Sequence, residues 1–165
     1  LKAEGLNNVE AIQIDVTSNE SVTAGRAELG KETKVHDVLI NNAGISGGLP
    51  QTALGTDVQL FRDVYETNVF GVVGVTQAFI DLLKKSGEPR IVNVSSGLGS
   101  ITMNNDPSYK YYQAKVAAYN SSKAAWNMIT VILAYELKET AFKVNSVDPG
   151  YTAKVCNNHR GTGNG

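Results

Sequence analysis

The chain has 165 residues, of which 42% are hydrophobic and 19% are charged, and its formal net charge at pH 7 is −1. This length predicts one domain with a sizeable buried core, and the balanced charge argues against a nucleic-acid partner. The sequence has no apolar run long enough to span a membrane and no signal peptide at its start, and its single cysteine, Cys156, excludes an internal disulfide, so we expect a cytoplasmic protein.

Apolar residues alternate along the chain between short strand-like runs and longer helical runs. The pattern predicts four strands, at 9–14, 35–40, 90–94 and 142–147. It predicts three helices, which run from the N-cap Ser18 to Leu29 with Gly30 as the stop, from Asp57 to Lys85, and over 116–138. Alternation of strands and helices indicates an α/β fold with a mainly parallel sheet and helices on both faces.

Polar and small residues follow each predicted strand. Ligands of such sheets bind beyond the carboxyl ends of the strands, which directs attention to Asp15, 41–44, 95–97 and Pro149 onward. The segment 156–165 has almost no apolar side chain to bury, so we expect a disordered tail after a domain of residues 1–155.

Two polar features come before the third predicted strand. The sequence Asn-Asn-Ala-Gly at 41–44 would let a flat ring approach the backbone, although Asn and Gly are also ordinary turn formers. Asn68 falls on the apolar stripe of the second helix, four residues from both Val64 and Val72. A polar side chain there needs partners, and the spacing alone leaves open whether they belong to a local structural bond or to a site.

Tyr119 and Lys123 are four residues apart on the last helix and therefore share one face. An ammonium beside a phenol favours the phenolate and lowers the pKa of the tyrosine from about 10, which suits a general acid/base. Tyr111 and Lys115 repeat this spacing in a polar, tyrosine-rich segment. We favour Tyr119 because an apolar helix follows it and can hold the pair rigidly, and an exposed pair without function is the alternative.

Ser95 and Ser96 end the third strand, where a hydroxyl could hydrogen-bond a substrate oxygen. A serine nucleophile is the rival hypothesis, but it requires a G-x-S-x-G turn and a nearby histidine. The sequence has no glycine at the first position of that turn, and neither His36 nor His159 follows a strand. A hydrolase is therefore not expected, and two distant histidines with one cysteine do not predict a metal site.

Taken together, these motifs resemble the short-chain dehydrogenase/reductase family over positions 9–152. The matching segments, in order, are Asp15-Val16, Asn41-Asn42-Ala43-Gly44, Asn68 with Gly71, 91–96, Tyr119-x-x-x-Lys123 and Asp148-Pro149-Gly150. The resemblance implies a Rossmann-type, doubly wound sheet and hydride transfer between NADP or NAD and a small carbonyl or alcohol substrate. It is strongest to carbonyl-reducing members, which gives NADP a slight preference.

The resemblance also implies roles for individual residues. Tyr119 matches the proton donor to the carbonyl oxygen, Lys123 the residue that holds the nicotinamide ribose, and Ser96 the residue that orients the substrate oxygen. Asn68 would bind the water that links Lys123 to a proton relay. The implied cofactor contacts are Asp15 and Val16 at the adenine, Asn41, Ala43 and Gly44 at its ribose, and Pro149, Gly150, Tyr151 and Thr152 at the nicotinamide.

The sequence departs from the family pattern in three places. It has no starting Met and does not contain the first βαβ unit with its Thr-Gly-x-x-x-Gly-x-Gly phosphate loop. It also stops before the C-terminal substrate region, and Lys154 stands where the family has a nicotinamide-contacting Thr. The loop between Ser96 and Tyr119 is longer than is common, so we expect it to shape the substrate pocket.

Two questions stay open from the sequence. A truncated, non-catalytic relative that binds a partner or has no function is an alternative to an enzyme, and a sugar-nucleotide epimerase or dehydratase fits the motifs less well. Apolar residues of the last helix could form a homo-oligomer interface or pack as core against the sheet, namely Ala124, Ala125, Met128, Val131 and Ile132.

A sequence without the first βαβ unit lacks the residues that would bind the cofactor pyrophosphate. We therefore expect the 165-residue chain on its own to bind NADPH poorly or not at all. Fluorescence titration of the isolated chain measures this affinity, and a dissociation constant in the micromolar range would contradict the expectation.

Overall fold

The computed structural model describes residue 5 and residues 8–151. Its elements, in chain order, are α1 (Asn19–Glu32), β1 (Val38–Asn41), α2 (Val58–Tyr65), a π-helical turn (Glu66–Gly71), α3 (Val72–Leu83), β2 (Arg90–Val94), a 3-10 turn (Gly97–Gly99), α4 (Ile101–Asn105), α5 (Ala117–Glu136) and β3 (Lys143–Val147). The strands form a parallel sheet in the order β1–β2–β3. The predicted α/β fold is confirmed, and the predicted tail at 156–165 lies outside the described residues.

The predicted strand at 9–14 is wrong. Residues 9–15 have no partner strand among the described residues, and a β-strand exists only where a neighbouring strand accepts and donates its backbone hydrogen bonds. Burial nevertheless alternates along this segment with the period of two that the sequence pattern indicates. Ile12, Ile14 and Val16 are half-buried, and their neighbours are exposed. Ile14 packs on α1 and on the core beneath it.

The predicted starts of the first two helices are correct, and one predicted stop is not. Ser18 caps α1 by accepting a hydrogen bond from the N–H three residues on, and Asp57 caps α2 in a similar way. Gly30 does not end α1, which continues to Glu32 because a glycine in a helix interior costs only about 1 kcal/mol. Likewise β1 begins at Val38 rather than at 35, because Val38 is the first residue of β1 that pairs with β2.

The second predicted helix is interrupted at its centre. Between α2 and α3 the chain makes one π-helical turn, in which the backbone hydrogen bonds skip one residue more than in an α-helix. This turn carries Asn68 and ends at Gly71, which packs on the segment before α1. A Cβ on Gly71 would lie 2.7 Å from the carbonyl oxygen of Val16, so only glycine fits there.

The helices that pack on the sheet lie on one of its faces. Leu39 of β1 packs against a cluster from α1 and α3 that consists of Val22, Phe79 and Leu82. Its neighbours Val38 and Ile40 point to the other face and are 47% and 61% exposed. Helices expected on that second face are not among residues 8–151.

A buried chain of polar side chains ties the sheet to α3 and α5. Asn41 Nδ2 donates to Asn93 Oδ1 at 2.9 Å and to Thr76 Oγ1 at 3.0 Å, and Asn93 Nδ2 donates to Thr130 Oγ1 at 2.9 Å. Both threonine hydroxyls donate in turn to the carbonyl four residues earlier in their own helix. All four side chains are buried, so each polar atom depends on these bonds rather than on water.

Replacing Asn93 by alanine should therefore destabilise the fold by about 2–3 kcal/mol, because the change leaves an N–H of Asn41 buried without its acceptor. Urea unfolding of Asn93→Ala measures this loss. The matched control is Asn145→Ala in β3, where the side chain is exposed and the change should stay within about 0.5 kcal/mol. Equal losses in the two variants would contradict the role given to the network.

Candidate active site

Asn68 joins three segments of the chain. Its side chain is 1% exposed. The N–H of Ile45 donates to Asn68 Oδ1 at 2.8 Å, and Asn68 Nδ2 donates to the carbonyl of Ile45 at 2.9 Å and to Ser122 Oγ at 3.0 Å. Asn68 thus links the π-helical turn both to the loop after β1 and to α5, and the structure shows partners of the kind that the sequence required.

Lys123 lies beside Asn68 at the carboxyl edge of the sheet. Its side chain is buried, its Nζ donates to the carbonyl of Val94 at the end of β2 at 2.9 Å, and this Nζ lies 5.8 Å from the centre of the Tyr119 ring. A Cβ on Gly44 would lie 3.5 Å from Lys123 Nζ and 3.3 Å from Asn68 Oδ1. Glycine at position 44 therefore leaves space next to an ammonium and an amide.

The two serines after β2 have different surroundings. Ser95 is 5% exposed and belongs to the interior, whereas Ser96 is half-buried and its Oγ caps the 3-10 turn by accepting from the N–H two residues on. That turn packs directly on α5, since a Cβ on Gly99 would lie 2.7 Å from the carbonyl carbon of Lys123. Ser96 is therefore the more accessible hydroxyl, and the turn that follows it is fixed against α5.

The end of β3 meets the turn after β2. A Cβ on Gly97 would lie 2.7 Å from the phenol oxygen of Tyr109 and 2.9 Å from Asp148 Oδ2. Burial raises the pKa of the Tyr109 phenol above its ordinary value of 10.0, and the Asp148 carboxylate raises it further. Both effects favour the protonated phenol of Tyr109, which can donate a hydrogen bond.

The residues predicted at the nicotinamide follow this junction. Gly150 donates its N–H to Asp148 Oδ1 at 3.0 Å and has φ of +71°, which makes a tight turn directly after β3. Pro149 and Tyr151 are exposed beside it. Thr152 and Lys154 lie outside the described residues.

The residues predicted at the adenine end differ in how exposed their side chains are. Asp15 and Ala43 are exposed and Val16 is half-buried, so the first two are accessible to a ligand. Asn41 is 6% exposed and its side chain is held inside the fold, which leaves its backbone for any ligand contact. Thr17 donates through its hydroxyl and its N–H to Asp15 Oδ1, and these bonds hold the pKa of Asp15 below its usual value of 3.8.

The second Tyr-x-x-x-Lys pair does not share the geometry of the pair on α5. Tyr111 lies in a run of turns rather than in a helix. Lys115 donates to the carbonyl of Asn104, and its Nζ lies 4.1 Å from the centre of the Tyr112 ring. The same spacing in sequence therefore puts a lysine one helical turn from its tyrosine only where a helix has formed.

A groove of about 1060 Å³ lies next to the first turn of α5, between α2 and the segments at 98–105 and 115–117. Neither Ser96 nor Tyr119 lines it. Within residues 8–151, no group of three His, Cys, Asp or Glu side chains is placed to hold a metal ion, and no helix has both the length and the apolar character to cross a membrane.

One buried polar residue at this edge was not predicted from the sequence. Gln51 is 3% exposed and bridges the loop after β1 and the start of α5. A single glutamine in a Gly- and Pro-containing loop gives no signal of this contact, which joins positions far apart in the chain.

The side chains at this edge are of types suited to chemistry at a carbonyl or alcohol oxygen. Tyr119 supplies a phenol, Lys123 an ammonium and Ser96 a hydroxyl, all at the edge where α/β sheets bind ligands. A phenol can give or take a proton, and an ammonium and a hydroxyl can stabilise charge that develops on oxygen.

The chain is similar in sequence to known oxidoreductases. A family model described as short chain dehydrogenase matches residues 1–163. The chain is 37% identical over 170 aligned positions to the short-chain dehydrogenase anuI of Penicillium roqueforti, and the match covers 100% of this chain and 65% of that protein. A match to an uncharacterized oxidoreductase of Schizosaccharomyces pombe covers 54% of the relative. The chain thus spans about half to two-thirds of the length of these curated relatives.

Solved structures show the same similarity. The NADPH-bound carbonyl reductase from chicken fatty liver superposes with a TM-score of 0.80 at 28% identity, covering 92% of this chain and 61% of that one. Salutaridine reductase from Papaver somniferum gives a TM-score of 0.79 at 25% identity, covering 98% of this chain and 75% of that one.

The hydrogen bonds from Thr17 predict a measurable titration. The hydroxyl of Thr17 is the larger of the two causes that lower the pKa of Asp15. Thr17→Val removes this donor, so the pKa of Asp15 should rise toward 3.8. In the wild type the contribution of these bonds to stability is present above pH 3.8 and is lost as the pH falls through the lowered pKa. Carbon-13 NMR titration of the carboxyl groups follows this shift.

Asp106 provides the matched control. Its carboxylate has the same two bonds, here from Ser108, and they lower its pKa in the same way. Asp106 should keep its lowered pKa in Thr17→Val and lose part of the shift in Ser108→Ala. An unchanged Asp15 titration in Thr17→Val would show that the hydroxyl is not the cause.

Proposed function

Because this chain belongs to the short-chain dehydrogenase/reductase family, we propose that it carries the catalytic residues of an NAD(P)-dependent oxidoreductase acting on a small carbonyl or alcohol substrate. One observation carries the proposal: Lys123, Asn68 and Gly44 come within a few ångströms of one another at the carboxyl edge of the sheet, one helical turn from Tyr119. The similarity to an NADPH-bound carbonyl reductase supports the same activity.

The proposed chemistry assigns the proton to Tyr119. When a carbonyl is reduced, negative charge develops on its oxygen, and the Tyr119 phenol donates the proton that neutralises it. The Lys123 ammonium, 5.8 Å from the ring centre, stabilises the phenolate that remains. Ser96 holds the substrate oxygen through its hydroxyl and so strengthens the hydrogen bonding as charge builds up.

Asn68 acts in this proposal mainly through position. Both polar atoms of its side chain are bound to Ile45 and Ser122. In the proposal Asn68 also binds the water that links Lys123 to a proton relay, while its side chain keeps the loop and α5 at a fixed separation.

In this proposal the described residues supply contacts for both ends of a nicotinamide cofactor. The ammonium of Lys123 and the exposed turn at Pro149 and Gly150 would receive the nicotinamide riboside. The adenosine end would contact Asp15, Val16, Ala43, the backbone of Asn41 and the space beside Gly44. Thr152 and Tyr151 complete the nicotinamide contacts in the proposal. The bound cofactor would supply or accept the hydride. We propose NADP rather than NAD on the similarity to the NADPH-bound reductase.

The substrate is expected to enter where the loop between β2 and α5 meets the strand ends. Tyr109 from this loop lies against Gly97, so the loop brings a phenol to the turn that follows Ser96. This placement supports the expectation that the long loop shapes the substrate site.

We also propose a cytoplasmic homo-oligomer. Met128, Val131 and Ile132 of α5 are 60%, 63% and 48% exposed, together with Tyr135 at 68%, and apolar side chains grouped on one helix favour association. Ala124 and Ala125 are half-buried on the same helix. Sedimentation velocity tests the proposal, and a monomer over the whole accessible concentration range would contradict it.

The proton donor is tested by Tyr119→Phe in a form of the protein that binds NADPH and reduces a carbonyl compound. Removal of the hydroxyl should lower kcat for carbonyl reduction by about 10²–10⁴-fold, because the developing oxyanion loses its proton source. The dissociation constant for NADPH should stay nearly unchanged, since the ring and Lys123 remain. Stopped-flow turnover and fluorescence titration measure the two quantities.

Tyr111→Phe serves as the matched control for this experiment. Its side chain lies in the loop before α5, and phenylalanine keeps the ring that contacts Tyr109, so turnover should fall far less than in Tyr119→Phe. If Tyr111→Phe abolished turnover and Tyr119→Phe did not, the proton donor would be Tyr111.

A further inference from the structure

The side-chain amide of Gln51 connects the loop after β1 to the first turn of α5, two segments whose relative position matters for the proposed reaction. Its Nε2 donates to the carbonyl of Ser46 at 2.6 Å and to that of Gly48 at 2.8 Å. Its Oε1 accepts from the N–H of Ala118 at 2.9 Å and from that of Tyr119 at 3.3 Å. Two donors and two lone pairs are thus all engaged, and the reversed amide would face carbonyls with its oxygen and N–H groups with its nitrogen.

The start of α5 depends on this amide. The first N–H groups of any helix lack acceptors within the helix, and an N-cap side chain usually supplies one. The N-cap residue of α5 is Val116, whose side chain has no acceptor. The oxygen of Gln51, which comes from a loop 67 residues earlier in the chain, takes that place for Ala118 and Tyr119.

The other end of the amide fixes the loop after β1. This loop contains Gly44, and Ile45 in the same loop is bonded to Asn68. Asn68 in turn bonds Ser122, one turn further along α5. Gln51 and Asn68 therefore hold the loop against α5 at two points that lie on either side of Tyr119 in the sequence.

We propose that Gln51 is a positioning residue, which sets the first turn of α5 against the loop after β1 and thereby fixes the Tyr119 phenol relative to the substrate. This inference rests on the proposed function, in which Tyr119 is the proton donor. The hydrogen bonds of the Gln51 amide go to the backbone of the loop and of α5. Gln51 therefore acts on the proton donor through the backbone of Tyr119.

Two variants separate the two ends of the amide. Gln51→Met has a side chain of similar length and removes all four bonds. Gln51→Glu keeps an oxygen acceptor for the N–H groups of Ala118 and Tyr119 but loses both donors to the loop. Gln77→Met and Gln77→Glu are the matched controls, since Gln77 is exposed on α3.

Amide hydrogen exchange, followed by NMR in the same form of the protein, reports directly on the hydrogen bonds that cap α5. We expect exchange at Ala118 and Tyr119 to be about tenfold faster or more in Gln51→Met. The acceleration should be smaller in Gln51→Glu, which keeps the acceptor but sets its second carboxylate oxygen against the carbonyls of Ser46 and Gly48. Unchanged exchange in Gln51→Met would overturn the capping and with it the proposal.

Turnover distinguishes positioning from a purely structural contact. Gln51→Met should lower kcat by about tenfold to a hundredfold while the dissociation constant for NADPH stays unchanged, because a small displacement of the proton donor slows the chemical step. Faster exchange with an unchanged kcat would overturn the positioning role. If the wild-type protein itself reduced no carbonyl compound, the proposed function would fail, and the exchange data would still decide whether Gln51 fixes the first turn of α5.

Discussion

The buried amide of Asn68 is the contact on which the arrangement at the sheet edge depends. It bonds the backbone of Ile45 in both directions and the hydroxyl of Ser122. A buried amide without partners would cost about 1–3 kcal/mol, so the loop and α5 can move apart only by losing that free energy. Gly44 on one side and Lys123 on the other are held close together as a result.

The fold supplies this contact with a rigid base. The polar chain from Thr76 through Asn41 and Asn93 to Thr130 fixes β1, β2, α3 and α5 to one another beneath the site. The π-helical turn then aims Asn68 at the loop, and the absence of a Cβ at Gly71 lets that turn approach the segment before α1. Hydrogen bonds are directional, so those between polar side chains in the core also fix the distances between the helices and strands.

Much of the candidate site could be predicted from local sequence. The helix carrying Tyr119 and Lys123 and the strand before Ser96 follow from apolar periodicity and spacing, and their bounds agree with the structure within two residues. The strand at 9–14 could not be predicted correctly, because periodicity describes burial and not the presence of a partner strand. The π-helical turn was also not predicted, since its sequence differs little from that of an α-helix.

The family, the alternation of helices and strands, and the residue types able to carry proton transfer all follow from the amino-acid sequence, because each depends on local pattern and on order along the chain. Which polar residues meet depends on the packing of the folded chain. Gln51 reaches the first turn of α5, Asn93 joins Asn41 to Thr130, and Lys115 turns away from Tyr111 toward another partner. These contacts link residues distant in sequence, and their geometry follows from how the elements pack, which no local pattern records.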